Sequence, residues 1–222
     1  MGTSAALLLL ADSRFPTGAH AHSAGVEASH ARGDIRDVRD LSSFLDGRLQ
    51  TTAPVDAAFA AAACAGRHRL AELDLELFVR TPSPRLCSIS RSLGRQLVRP
   101  AERAWPSARY AELRAVHADG PMQAVALGVV AGAAGLTPTD AALCSLHHLV
   151  GAITTATVRL LGLDPFEVHA LAASLAPRLD ELAATAASLA ELPPCELPAT
   201  TSVLADLLAE HHATWEVRLF AS

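Results

Sequence analysis

The stretch TPTDAALCSLHHLVGAITTATV, residues 137–158, decides the fold. Its first four residues form a helix start. Thr137 can cap, Pro138 suits the first helical position, where its missing N–H costs nothing, and Asp140 three residues on favours the positive end of the helix dipole. From Ala141 to Val158 there is no charge, and this length approaches a membrane span. The run nevertheless holds His147, His148, Thr154, Thr155 and Thr157, and no aromatic belt flanks it. It reads as a helix buried inside a soluble bundle. The preceding uncharged stretch, Gly120 to Thr139, is rich in Ala and Gly with Pro near both ends, and reads the same way. A membrane hairpin built from these two stretches, giving a small helical membrane-associated protein, is the competing reading.

Outward from this segment the punctuation repeats. Asp164-Pro165-Phe166-Glu167 is a second helix start of the same kind, Pro177 opens a further helix, and Pro193-Pro194 with Pro198 form a stiff connector to a last helix over about 201–212. Upstream, Pro16 and Gly18 break a first apolar run, and a helical piece follows from Ala19 to about Ala31. Asp37 caps a helix carrying Leu41, Phe44, Leu45 and Leu49 at helical spacing. Pro54 opens a piece whose Ala57 to Ala65 run is almost all small, and Leu70 to Val79 precedes a break at Thr81-Pro82-Ser83-Pro84. Ser88 to Val98 places Ile89, Leu93 and Leu97 on one face and Arg91 and Arg95 on another, which reads as solvated. A short amphipathic piece surrounds Leu113 and Val116. No strand alternation or fixed-period repeat appears. The expectation is an all-α protein, a single-domain bundle of about nine or ten short helices spanning residues 1–222.

Composition agrees. Ala and Leu dominate and aromatic residues make up 4% of the 222 residues, which favours helix over strand. All 18 basic residues are Arg, a coding bias rather than a chemical signal, and the net charge of -5 argues against a nucleic-acid binder. Cys64, Cys87, Cys144 and Cys195 lie far apart without a C-x-x-C pair, which points away from a disulfide framework or a thiolate zinc site and toward a reducing cytoplasm. Ala5 to Ala11 followed by Ala19-His20-Ala21 imitates an export signal, but no basic region precedes it and Asp12 and Arg14 interrupt it.

The chain carries no catalytic constellation. There is no G-x-S-x-G, no phosphate-binding Gly-Lys-Ser/Thr and no H-E-x-x-H. The carboxylates of Asp74 and Glu76 read as solvated, and the cysteines as buried thiols. Among ten histidines, only His20 and His22, two apart in a loop, are spaced to share an ion, and imidazole nitrogens suit nickel, copper or zinc. The absence of reactive groups points to a scaffold or chaperone rather than an enzyme, with a direct metal-handling protein as the alternative.

The C-terminus is unusual. Trp215 is followed by Arg218-Leu219-Phe220-Ala221-Ser222 at the end of the chain, where small polar residues are the norm. Such an end docks into a groove, on this protein or on another. Together with Leu8-Leu9-Leu10-Ala11-Asp12-Ser13-Arg14-Phe15-Pro16-Thr17-Gly18 and Ser23-Ala24-Gly25-Val26-Glu27, it resembles the terminal and N-terminal signatures of the urease accessory protein UreF family. Ser90-x-x-x-Gly94-Arg95-x-Leu97 is similar to that family's central helix, and Val158-Arg159-Leu160 to its aliphatic-Arg-Leu element. The chain departs from the family at His20 and His22, where aromatics are usual. It departs again at Ala213, where Glu follows His, at Ala221, where Arg stands, and at Gly162 to Pro165, which replaces a Gly-Gln-rich stretch.

The resemblance implies an all-helical, dimeric, non-catalytic protein of the cytoplasm. It implies a scaffold that links a second accessory protein, UreD (also called UreH), to the nickel-carrying GTPase UreG, the assembly placing nickel in apo-urease. No cofactor is bound firmly; nickel is handled within the complex and GTP is bound by UreG. Partner contacts then fall to Trp215, Arg218, Leu219, Phe220 and Ser222 of a tail over residues 213–222. Phe15, Pro16, Gly18, Ser23, Gly25 and Glu27 are the N-terminal contacts. Arg91, Arg95 and Arg159 are candidates to contact the GTPase, and His20 and His22 are candidates for metal. Ordering the tail costs about 1–2 kcal/mol per residue in backbone entropy, and burying Leu219 and Phe220 returns roughly 1.5–3 kcal/mol each. The tail is therefore expected to be disordered alone and ordered on a partner.

Overall fold

The computed structural model describes residues 3–12, 14, 15 and 21–220. Among them are twelve α-helices and no strand, so the all-α expectation holds and the helix number exceeds the nine or ten expected. In chain order they are α1 (Thr3–Ala11), α2 (Val26–Ala31), α3 (Val38–Gln50), α4 (Thr52–Ala65), α5 (Leu70–Val79) and α6 (Pro84–Ala104). There follow α7 (Arg109–Ala115), α8 (Gln123–Ala133), α9 (Pro138–Leu161), α10 (Pro165–Ser174), α11 (Ala176–Ser188) and α12 (Val203–Ala213). A 3-10 turn, Pro194–Glu196, lies in the proline connector before α12.

The caps explain most boundaries. Thr137 and Asp140 form the full capping box of α9, each side chain satisfying the other's backbone N–H. Asp37, Asp164 and Ser202 cap α3, α10 and α12. The reading of 88–98 as a separate helix was too short. Ser83 caps α6 through a bond from the Leu86 N–H, Pro84 fits the first turn, and the helix runs through Pro100 to Ala104. Proline at 84 starts the helix rather than interrupting it, because the first-turn N–H groups have no intrahelical acceptor.

α4 lies at the centre. Ala57 through Ala63 are all fully buried, Phe59 included, and α8 and α9 pack against it. The small side chains permit backbone-close contact. A Cβ on Gly128 of α8 would stand 2.2 Å from the Ala60 carbonyl oxygen. One on Gly94 of α6 would stand 2.1 Å from that of Pro121. α11 packs against both α9 and α4, and most of the buried hydrophobic residues form one connected cluster reaching from Leu10 to Phe220.

α9 is long and apolar enough to cross a membrane, but half of its apolar window is buried against neighbouring helices. The Gly120–Thr139 stretch supplies only the 11-residue α8, about half of what a span needs. α1 also docks: Leu10 is buried, and its carbonyl lies 2.9 Å from Nε2 of His148 on α9.

Two surface expectations are overturned. Asp74 is buried, not solvated: its carboxylate accepts the Met122 N–H at 2.7 Å and Arg91 Nη1 at 3.0 Å. Arg91 is buried with it and also donates to the Gly120 carbonyl at 2.7 Å. Periodicity placed both on polar faces, but the loop between α7 and α8 folds over those faces. Glu76 pairs with Arg80 one helical turn on.

Candidate functional site

The two ends of the chain meet. Gly25 precedes α2 with φ of 92°, a left-handed conformation that a side chain resists. The Ser23 hydroxyl accepts the Glu27 N–H at 3.3 Å. This turn aims the Glu27 carboxylate inward, where it is 8% exposed. One of its oxygens accepts the Leu219 N–H at 2.8 Å, and the other accepts the Phe220 N–H at 3.0 Å. The second oxygen also lies 2.9 Å from Nε2 of His212, at the end of α12. A carboxylate accepting several N–H donors makes charge-assisted bonds roughly twice as strong as neutral ones.

The side chains divide at this point. Phe220 turns in and is 6% exposed, with the Arg159 guanidinium 4.9 Å from its ring centre. Leu219 turns out and is 75% exposed, as is Val217 at 81%. Arg218 is exposed between them. Trp215 is half-buried, its ring 4.7 Å from that of His212. The expectation that Phe220 waits for a partner to bury it is therefore corrected: its own chain buries it. The entropic cost was weighed against apolar burial alone, and the hydrogen bonds to Glu27 were missing from that balance. His212 was also missed as a site residue. Its only sequence signal is a place just before the terminal motif, and Glu27 lies 185 residues away.

The remaining candidates disperse. Phe15 stacks on Trp105 beyond the end of α6, centroids 5.6 Å apart. Arg95 is exposed and donates to the Asp119 carbonyl at 2.6 Å. It is not brought together with Arg159, and Arg91 is turned into the core. Pro16, Gly18, His20 and Ser222 lie outside the described residues. His22 is half-buried and lines a cavity of about 210 Å³ together with Arg48, Asp56 and Asp206. Burial pushes the Asp56 carboxyl up to about 6, opposed by Arg48. Among the described residues no cluster of three or more His, Cys, Asp or Glu side chains is arranged to hold a metal ion. Two thiols are suppressed as nucleophiles: burial pushes Cys64 up to about 11 and Cys144 to about 12.

The family model UreF matches residues 35–176. The chain belongs to the UreF family. Its relatives run the full length. It is 42% identical over 224 residues to the urease accessory protein UreF of Mycobacterium sp. (strain JLS), all of both chains being covered. It is 43% identical over 222 residues to that of Mycobacterium marinum, and 37% over 223 residues to that of Mycobacterium tuberculosis (strain ATCC 25618 / H37Rv), again with full coverage of both. UreF accessory proteins are non-catalytic. The family model begins at residue 35, so the union of Glu27 with the tail lies outside the matched segment.

Proposed function

We propose that this member of the UreF family acts in urease maturation, as a cytoplasmic, homodimeric scaffold that joins the UreD/UreH accessory protein to the UreG GTPase on apo-urease. Nickel is handled within that complex and GTP is bound by UreG. The observation that supports the reading is a tail held in place by hydrogen bonds from the Leu219 and Phe220 amides to Glu27, with exposed apolar and basic side chains. Residues 213–222 and the N-terminal turn around Gly25 form the contact for UreD/UreH. Arg95 and Arg159, both exposed, remain the arginines able to reach the GTPase, whereas Arg91 serves the core.

Light scattering on size-exclusion tests this directly. The purified chain is expected to run as a dimer, to form a larger complex with UreD/UreH and then to recruit UreG. Deleting Arg218 to Ser222 is expected to abolish UreD/UreH binding while leaving the far-ultraviolet helical signal intact. Equal affinity for the truncated chain would overturn the assignment of the tail.

The second reading, a nickel-binding role for His20 and His22, is favoured by one observation: His22 lines a cavity with two carboxylates. Nickel titration of the chain with and without both histidines separates it from the first.

A further inference from the structure

The cavity of about 210 Å³, bordered by α3, α4, α5, α6, α8 and α9, joins an apolar wall to polar groups that the fold leaves unmet. Val55, Leu77, Leu86, Ile89, Leu93 and Leu127 supply the wall, and Arg48, Thr52 and Asp56 the polar groups. Arg48 Nε and Thr52 Oγ1 are buried and have no hydrogen-bond partner among the described residues. Asp56, one helical turn after Thr52 on α4, makes no ion pair or hydrogen bond among them; Arg48 is the charge that acts on it. The other charged groups of the lining are committed. Arg80 pairs with Glu76 and donates to the carbonyls of Cys195 at 3.0 Å and Pro198 at 3.2 Å. Asp206 of α12 is bonded to the Ser83 backbone. Native interiors leave few buried polar groups unmet, because the water they lose is not replaced. A water molecule answers the polar groups but leaves the apolar wall uncovered.

We propose that this cavity binds a small molecule with an apolar body and a neutral carboxamide head, the carbonyl accepting from Arg48 Nε and Thr52 Oγ1 and the amide N–H donating to Asp56. Charge selects the head. A carboxylate is drawn to Arg48 but repelled by Asp56 and Asp206. An ammonium group or a metal cation is drawn to the two carboxylates but repelled by Arg48. Burial strengthens both repulsions, since little solvent screens them. A carboxamide carries an acceptor and a donor on one planar group and brings no net charge to desolvate. The wall selects the body: small-molecule sites are mostly apolar, with a few placed polar groups that fix orientation. The inference stands apart from the proposed function, because it uses no residue of the tail and no partner protein.

Three matched probes test it on the full-length chain. Hexanamide, hexanoate and hexylamine share one apolar body and differ in the head. Each is titrated at neutral pH and followed by backbone amide shifts in proton–nitrogen correlation spectra. Hexanamide is expected to bind at least about tenfold more tightly than either charged probe. Thr52→Val keeps the shape and removes the hydroxyl. It is expected to weaken hexanamide about fivefold, with the melting temperature unchanged or raised, because the hydroxyl has no partner to lose. Asp56→Asn is expected to narrow or reverse the preference for hexanamide over hexanoate. Equal affinity for the three heads overturns the proposal, as does tighter binding of either charged probe. Unchanged hexanamide binding by Thr52→Val overturns the assigned contact. No shift with any probe up to its solubility limit overturns the site and leaves water as the occupant.

Discussion

Arg91 and Asp74 show how a polar residue is recruited to the core. Their side chains are 8% and 4% exposed and meet at 3.0 Å, with Asp74 also holding the Met122 N–H. Together they tie α5 and α6 to the turn that starts α8. Removing one member of such a pair leaves a buried charge and costs about 3–5 kcal/mol. Arg91→Ala is expected to lower the unfolding free energy by that order in urea denaturation. A defect of that variant in partner binding would then reflect loss of fold rather than loss of a contact. Arg91 and Arg95 are one helical turn apart and indistinguishable by sequence pattern, yet one is buried and the other exposed. Only the covering loop separates them.

At the scale of helices, the contact of α4 with α8 depends on absent side chains. Gly128 has no space for a Cβ, which would meet both the Ala60 carbonyl and the Ala63 methyl, the latter at 2.7 Å. Neither can yield without parting the two central helices, and overpacking a core of this kind costs about 1–3 kcal/mol. Gly128→Ala is expected to reach or exceed the top of that range in thermal melting. Gly151, in the middle of α9 with nothing within 4 Å of its would-be Cβ, is the control. Gly151→Ala is expected to stabilise by up to about 1 kcal/mol through helix propensity and the stiffer unfolded chain. The alanine run of α4 pointed to close helix approach in advance, and the caps of α3, α9 and α10 were legible because each is settled within four residues. The continuation of α6 through Pro100 was not legible, since a proline near the end of a helix and one beyond it look alike in sequence.

At the scale of the whole molecule, two half-buried groups set opposing pH dependences. Burial pushes His148 down from 6.5 to about 4, with the Leu10 carbonyl acting against it. The unfolded chain binds more protons in that interval, so the His148 contribution to stability is complete above about pH 6.5 and is lost as pH falls toward 4. Asp56 behaves oppositely. Burial raises it from 3.8 to about 6, the folded state binds more protons, and its contribution falls as pH rises through that interval. The wild type is therefore expected to show a shallow profile between pH 4 and 6.5. His148→Gln is expected to remove a penalty on the order of 2 kcal/mol at pH 5. Asp56→Asn is expected to raise the melting temperature at pH 7.5, the gain fading as pH approaches 4. Melting curves of the three proteins at both ends of the interval check the signs.

The sequence by itself determined the helical class, the main helix starts, the absence of reactive chemistry and the family, because each is written in local spacing or in ordered short motifs. It also assigned Glu27 and the terminal Arg-Leu-Phe to one expected partner surface, while setting Arg159 apart as a candidate for the GTPase. Only the tertiary structure decided how these groups meet. Glu27 and Phe220 are 193 residues apart, and a hydrogen bond across that separation follows from how α2, α9 and α12 pack, not from any periodicity. The same packing decided that Phe220 faces inward and Arg218 outward. Alternation along a short irregular tail has no fixed period, so the side that is buried depends on where the acceptor stands.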